Sequence, residues 1–348
     1  MRVFVAMSGG VDSSVAAALM VEAGHEVTGV TMQLLPSGDG VGQCCGTDAV
    51  YSAKRVCDSL GIPHYTLDFR DVFEQEVIQP FVSEYAAGNT PNPCIACNGR
   101  VKFSDLLARV MAQGADTLVT GHYAQIVRDE GGCWVERGVD RTKDQSYFLY
   151  QLQSPALEHV AFPLGDMAKV DVRAKAASLG LPTASRADSQ EICFVERQGI
   201  SRFVQERVPG SVCPGPIVDG RGKQLGVHRG LPLYTVGQRK GLGIASASPL
   251  YVLAINASSN TLVVGPKSEL LRPEVYLGEP VWLLPKDTAK VQVQTRYRMD
   301  PVPATARRTE DGIMIEFDQP TFAVAYGQAV VCYQDDRVVA GGVARCRS

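Results

Sequence analysis

The chain opens on a strand-like run, Arg2–Met7, that passes directly into Ser8-Gly9-Gly10-Val11-Asp12-Ser13-Ser14 and then into a helix-patterned stretch, Val11–Glu22. A strand that turns through two glycines into a helix is the beginning of a βα unit, and successive βα units build a mostly parallel sheet covered by helices. The alternation continues. Glu26–Leu34 is a β-branched run, and Asp48–Leu60 carries Val50, Ala53, Val56, Cys57 and Leu60 at helical spacing before Gly61. His64–Leu67 and Thr117–Thr120 read as further strands, and Ser104–Gln113 as a further helix. The texture changes near residue 199, where Gly and Pro cluster in Pro209-Gly210, Pro214-Gly215-Pro216 and Gly237–Gly243. Past about residue 270, short strands separated by turns run from Val281–Leu284 to Val338–Arg345, the spacing of a small antiparallel barrel or sandwich. The expected fold class is α/β, with a doubly wound, mostly parallel sheet over residues 1–198. A small central domain is expected over 199–270 and a C-terminal antiparallel β-barrel over 271–348.

At 348 residues the chain is long enough for two or three domains. With 45% hydrophobic and 20% charged residues it is an ordinary globular composition, which excludes disorder as the dominant state. No apolar run is long enough to span a membrane, and no signal peptide is recognised at the N-terminus. Ten cysteines at this length are too sparse for a disulfide scaffold, so the expected compartment is a reducing cytoplasm, where grouped cysteines read as catalytic, redox or metal sites. The net charge of −3 hides an asymmetry: residues 1–198 carry −8 and residues 199–348 carry +5. A basic second half suits a polyanionic partner as well as it suits a solvated surface.

The Ser8–Ser14 loop has the chemistry of a phosphate cradle. Its glycines let the backbone approach a ligand, the helix start offers unpaired N–H groups and a positive dipole end, and Ser8, Ser13 and Ser14 add hydroxyl donors. Asp12 is a candidate Mg2+ ligand. No Lys of the G-x-x-x-x-G-K-[ST] kind is present, so the loop is poorly matched to γ-phosphate hydrolysis.

Of the cysteines, Cys57 and Cys332 sit in apolar patterns and read as core. Cys133, Cys213 and Cys346 have no motif around them, and Cys44-Cys45 lies in the Gly-rich stretch Gly38–Gly46 with no role fixed. Cys94-Ile95-Ala96-Cys97 follows the turn Thr90-Pro91-Asn92-Pro93 and precedes Asn98-Gly99-Arg100-Val101-Lys102-Phe103. A thiol beside Arg100 and Lys102 is expected to be stabilised as thiolate. The pair also reads as half of a zinc site, but no second C-x-x-C or His pair completes it. Cys193, in Asp188-Ser189-Gln190-Glu191-Ile192-Cys193-Phe194-Val195, reads on local pattern as a buried structural cysteine.

Several segments taken together resemble the tRNA-specific 2-thiouridylases, a family of PP-loop ATP-dependent enzymes. They are Ser8–Ser14, Gly61–Tyr65, Thr90–Phe103, Gly121-His122-Tyr123, Lys143–Tyr150, Asp188–Val195, Thr235–Ile244 and Thr295–Arg298, in order along the whole chain. The resemblance implies ATP-dependent 2-thiolation of the wobble uridine, U34, of tRNA, through adenylation of the C2 oxygen and its replacement by sulfur. It implies ATP contacts at Ala6, Met7, Ser8, Gly9, Gly10, Val11, Asp12, Ser13, Met32 and Gly121, with Mg2+ accompanying ATP. Cys193 would carry a persulfide received from a sulfur-donor protein, a cysteine desulfurase or relay protein, and Cys97 would be the nucleophile that releases the sulfur. Asn92, Pro93 and Cys94 would lie against the target base; His122, Lys143, Asp144, Gln145, Arg296, Tyr297 and Gln328 would contact tRNA, bound by a monomer. Where some members have Asp, this chain has Cys94, so Cys94, Cys97 and Cys193 are alternatively three ligands of a [4Fe–4S] cluster that delivers the sulfur. A PP-loop amidotransferase or ligase, which adenylates an oxygen and then uses a nitrogen nucleophile, remains the other reading, and it would need neither Cys97 nor Cys193.

Overall fold

The computed structural model describes residues 1–36, 47–188, 192–195, 199–208, 210, 212–322 and 324–347. Cys44, Cys45 and the stretch Ser189–Glu191, singled out above, lie outside these residues. The described chain forms two compact units: residues 1–77, 93–196 and 336–338 in the first, and residues 78–92, 197–335 and 339–348 in the second.

The first unit is built on the expected parallel sheet. Its strands lie in the order His64–Asp68, Glu26–Gln33, Arg2–Ala6, Thr117–Val119, Val160–Ala161, and every pairing is parallel. Val3 and Val5 of the central strand and Leu118 and Val119 beside it are buried, as the continuous apolar runs required. The helix Val11–Glu22 packs on this sheet through Val11, Val15 and the small residues Ala16, Ala17 and Ala18, all buried. The second strand in sequence lies on one side of the first and Thr117–Val119 on the other, so the strand order reverses at Arg2–Ala6. Ligands of open α/β sheets bind at the carboxyl ends of strands flanking such a reversal.

Two features differ from the sequence reading. The C-x-x-C segment opens a helix, Pro93–Ala96, which continues as a π-helical stretch over Cys97–Leu106 and returns to α-helix over Leu107–Ala112. The expected helix therefore begins eleven residues earlier than Ser104 and changes register on the way. Residues 78–92, expected inside the N-terminal domain, belong to the second unit; there Glu84 accepts from Arg345 at 2.9 Å and Gln328 donates to the Thr90 carbonyl at 2.6 Å.

The second unit contains two sheets. One has four strands in the order Tyr251–Asn256, Thr261–Gly265, Gly215–Val218, Gln224–His228, with Ile217, Val252, Leu262 and Val264 in its core. The other is a closed antiparallel barrel. Leu271–Trp282 pairs both with Ile313–Phe322 and with the C-terminal strand, and Val302–Arg308, Thr288–Gln294 and Ala329–Gln334 complete the ring. Its core repeats every second residue, with Val291 and Val293, Ala304 and Ala306, Ile313 and Ile315, and Val330 and Cys332 all buried, the side-chain period of a strand with one face inward. The α/β sheet, the smaller central sheet and the barrel agree with the expected fold class.

Candidate active site

The Ser8–Ser14 loop occupies the carboxyl end of the first strand, at the reversal of strand order. Gly9 has φ +71°, and a Cβ there would lie 2.5 Å from the Ala49 carbonyl oxygen, so only glycine fits the turn. No side chain caps the helix at Gly10, which leaves its first N–H groups available to a ligand. The hydroxyls organise the loop from within: Ser13 and Ser14 donate to the Gly10 carbonyl at 3.1 and 2.8 Å, and the Ser8 N–H donates to Ser13 Oγ at 3.2 Å. Thr183 donates to Ser14 Oγ at 2.9 Å, and Arg186 donates to the Gly9 carbonyl at 2.9 Å and to Ser52 Oγ at 2.7 Å. Gly121, after the strand Thr117–Val119, closes on the loop; a Cβ on it would meet the Asp12 carbonyl carbon and the Ser13 nitrogen at 2.8 Å.

Asp12 does not face the loop alone. Lys169, the first residue of the helix Lys169–Ser178, donates to both of its carboxylate oxygens, and the Tyr123 hydroxyl donates to Oδ1 at 2.7 Å. Burial and the adjacent Asp12 carboxylate both push the Tyr123 phenol up, so it stays a donor. Lys169 also lies 3.0 Å from Asp188, which takes Lys143 at 2.8 Å and Arg173 as well. Partial burial pushes the Asp188 carboxyl up, but the hydrogen bonds from Lys143 and Lys169 outweigh it and hold the group well below the usual carboxylate range.

A cavity of about 340 Å³ opens beside the loop within the first unit. Its lining brings together Ala6, Met7, Ser8, Asp12, Ser13, Met32 and Gly121 from the expected ATP set with Pro93, Cys94, Cys97, Cys193, His122 and Gln145. Cys97 is buried, while Cys94 opens onto the cavity with protein around most of its thiol. Phe194 packs edge-on against Phe73 at 5.6 Å and anchors the residue next to Cys193. None of the three cysteines is in a disulfide.

The expected thiolate at Cys97 is not what the surroundings favour. Burial pushes its thiol up to about 12, and the positive charge of Lys102 only partly opposes this. Cys94 is pushed up to about 11, again chiefly by burial. Arg100, counted on as a second cation, is exposed and turns to Glu76 at 3.4 Å. Desolvation of a charged sulfur outweighs one neighbouring ammonium. Cys57 and Cys332 are fully buried core thiols, as their patterns implied.

The remaining expected residues divide by position. Gln145 lines the cavity and pairs its backbone and side chain with Tyr123. His122 is buried among Phe103 and Phe162, accepts or donates at Nδ1 to Thr120 at 2.6 Å, and is kept neutral by burial and by Lys102. Asp144 is buried and fully used inside the fold, by the Gly138 and Ser146 N–H groups, the Ser146 hydroxyl and Arg137. Asp144 thus braces the backbone between Lys143 and Gln145 from within. Lys143 keeps its exposure in part while paired to Asp188. In the second unit, Asn92 is half-buried, Arg296 donates to the Val236 carbonyl at 2.9 Å, Tyr297 lies under Arg298, and Gln328 holds Thr90, two residues before Asn92. Gly10 and Val11 contribute loop backbone. Sequence reasoning assigned no role to Lys169, Tyr123, Thr183 or Arg186; each acts on the loop across more than a hundred residues of chain, and of the four only Tyr123 lies in a segment quoted above, Gly121-His122-Tyr123.

Neither metal expected from the resemblance finds a ready ligand set. Among the described residues no three His, Cys, Asp or Glu side chains are grouped to hold a metal ion, which covers Cys94, Cys97 and Cys193. The loop carboxylate is already closed by Lys169 and Tyr123, so Mg2+ fits only as the counter-ion of ATP's own phosphates.

Three family models match the chain: a tRNA methyl transferase HUP domain over residues 1–197, a tRNA methyl transferase PRC-barrel domain over 201–266 and an aminomethyltransferase beta-barrel domain over 272–344. A tRNA-specific 2-thiouridylase MnmA of Moorella thermoacetica is 48% identical, across 97% of this chain and 98% of its own. One of Heliobacterium modesticaldum is 47% identical, across 98% of this chain and 91% of its own. Among solved structures, a 4-thiouridine synthetase–RNA complex with bound ATP superposes with a TM-score of 0.36 at 16% identity, over 60% of this chain and 50% of that one, too loosely to carry an argument.

Proposed function

The chain belongs to the tRNA-specific 2-thiouridylase family, and from that premise we propose that it replaces the C2 oxygen of the tRNA wobble uridine, U34, by sulfur at the expense of ATP. One observation carries the reading: a phosphate-type loop and three cysteine thiols line a single cavity. An amidotransferase or ligase needs the loop and not the thiols.

In this reading the loop N–H groups and the Ser8 hydroxyl hold the pyrophosphate part of ATP, Ser13 orders the loop through the Gly10 carbonyl, and Ala6, Met7, Met32 and Gly121 lie around the nucleotide. The C2 carbonyl oxygen attacks the α-phosphorus and pyrophosphate leaves, which converts an amide-like oxygen into the leaving group AMP. Asn92, Pro93 and Cys94 meet the base, which must leave its stack to react. A cysteine desulfurase or relay protein loads Cys193 as a persulfide. The Cys97 thiolate attacks the inner sulfur of Cys193, releasing hydrosulfide and leaving a Cys97–Cys193 disulfide, which an external thiol reductant resets. Lys143, Gln145, Arg296 and Tyr297 contact tRNA directly, whereas His122, Asp144 and Gln328 act by holding their neighbours. No step is routed through an iron–sulfur cluster or a protein-bound metal. The enzyme works as a cytoplasmic monomer on one tRNA; no helix of the described residues is long and apolar enough to cross a membrane.

The test is incubation with ATP, Mg2+, unmodified tRNA and a cysteine desulfurase with cysteine, followed by digestion of the RNA and mass spectrometry. 2-Thiouridine at position 34, dependent on ATP and absent with Cys97→Ser or Cys193→Ser, is the expected result. An activity that survives both substitutions moves the amidotransferase-like reading to the front.

A further inference from the structure

Lys102 is the one Lys or Arg among the described residues that line the cavity. Its place there is a consequence of the π-helical stretch Cys97–Leu106. In an α-helix a residue five positions on points about 140° away. The i→i+5 ladder, seen where the Leu107 N–H donates to the Lys102 carbonyl, returns Lys102 to the face that carries Cys97. The ammonium is also held: Nζ donates to Asn98 Oδ1 at 2.9 Å, and Asn98, itself 4% exposed, donates to the Phe148 carbonyl at 3.3 Å. This tether is neutral. Among the described residues no carboxylate pairs with Lys102, in contrast to Lys143 and Lys169 on the other side of the loop. A fixed cation with no carboxylate partner among the described residues, facing a cavity that holds three thiols, is a site for an anion. Its charge acts on both Cys94 and Cys97.

We propose that Lys102 is a catalytic residue of the sulfur half of the reaction, the counter-charge that accompanies the sulfur anion from Cys97 to the uridine. The inference rests on the thiolation reading above. That half-reaction carries one negative charge on sulfur throughout. The Cys97 thiolate attacks the inner sulfur of the Cys193 persulfide; the Cys97–Cys193 bond forms, the bond to the outer sulfur breaks, and hydrosulfide departs with the electron pair. Hydrosulfide then adds to C2 of the adenylated uridine; the C–S bond forms, the C–O bond breaks, AMP takes the oxygen and the bonding pair, and the sulfur's proton passes to N3. Neither step gives Lys102 a bond to make or break. Its ammonium stabilises the anion in a cavity poor in other cations, where one such group is worth roughly 10²–10³ in rate. Adenylation takes place at the loop, where the helix N-terminus supplies the positive dipole end and Lys169 neutralises the Asp12 carboxylate.

The experiment measures two products in one reaction: tRNA-dependent pyrophosphate and 2-thiouridine, for the wild type, Lys102→Met, Lys102→Gln and Lys102→Arg, with melting curves of all four. Lys102→Met and Lys102→Gln are expected to form about a hundredfold less 2-thiouridine, with pyrophosphate release falling by no more than a few fold, so that ATP cleavage runs without thiolation. Lys102→Arg, which keeps the charge, should recover most of the product. Parallel loss of both products, or loss of neither, overturns the inference while leaving the thiolation reading intact. A wild type that forms no 2-thiouridine overturns the reading, and the inference with it.

Discussion

Lys169 closes both carboxylate oxygens of Asp12, donating to Oδ1 at 2.6 Å and to Oδ2 at 2.8 Å. The phosphate loop has no lysine of its own, and this one arrives from a helix 157 residues further along the chain. The pair neutralises the loop's one carboxylate and so removes its repulsion with a triphosphate.

Lys169→Met leaves Asp12 uncompensated at a site where Lys169 is almost buried and Asp12 one-third exposed. Breaking a fully buried pair costs about 3–5 kcal/mol; solvent at Asp12 reduces that to about 1–3 kcal/mol. The melting temperature should fall by several degrees, and ATP binding should weaken by at least tenfold. Asp12→Asn combined with Lys169→Met should recover stability without recovering ATP binding. Calorimetry of the three variants, with and without ATP, checks both statements.

Asp188 is held low by Lys143 and Lys169 against the opposing effect of its own burial. A depressed folded value means that its contribution is complete above the unfolded carboxylate value, near pH 4, and is lost as pH falls through the folded value. Urea midpoints of the wild type should drop between about pH 4 and pH 2 more steeply than those of Asp188→Asn. Equal slopes would show that the carboxylate is not linked to folding.

The buried thiols predict an alkaline limit. Cys57, Cys97 and Cys332 are each pushed up to about 12, mainly by burial, whereas in the unfolded chain a thiol ionises near pH 8.5. Their contribution is complete below that value and is lost above it, by about 1.4 kcal/mol per thiol per pH unit. The same protonation should make alkylation of Cys97 in the free protein slow at pH 7 and about tenfold faster for each unit up to pH 10. Mass-spectrometric mapping of iodoacetamide labelling reads this directly; a flat profile would contradict it.

Arg239 and Lys240 are exposed and lie in a run of the second unit, residues 221–240, with Asp219 outside it and no acid within it. As phosphate contacts they set affinity rather than sequence choice. Arg239→Ala with Lys240→Ala should lower the slope of log affinity for tRNA against log salt by about 1.5, and weaken binding alike for cognate and non-cognate tRNAs. An unchanged slope removes this surface from the interface.

Much of the site was legible because it is local. Gly9 and Gly10 between a strand and a helix announce a phosphate loop, since tight turning and free N–H groups are properties of a few consecutive residues. The two-residue period of Val291, Val293, Ala304 and Ala306 announces a sheet face in the same way. Cys97 shows where such reading fails. Its neighbours Arg100 and Lys102 suggested a stabilised thiolate, but one turns out to Glu76 and burial overrides the other. Asp144 is a related case: nothing in its local motif shows that the fold would enclose it and use its carboxylate internally.

By itself, then, the sequence determined the order of strands and helices, the loop that can cradle phosphate and the identity of the three thiols, all written in spacing and residue type. Only the tertiary structure decided that Lys169 would reach Asp12, that Asp188 would gather three cations, that a π-helical register would turn Lys102 toward Cys97, and that burial would hold the Cys94 and Cys97 thiols protonated. The physical reason is range. Dihedral preferences and side-chain periods act over a few residues, whereas desolvation and ion pairing act between groups that chain closure brings together from far apart, and no local pattern carries their distance.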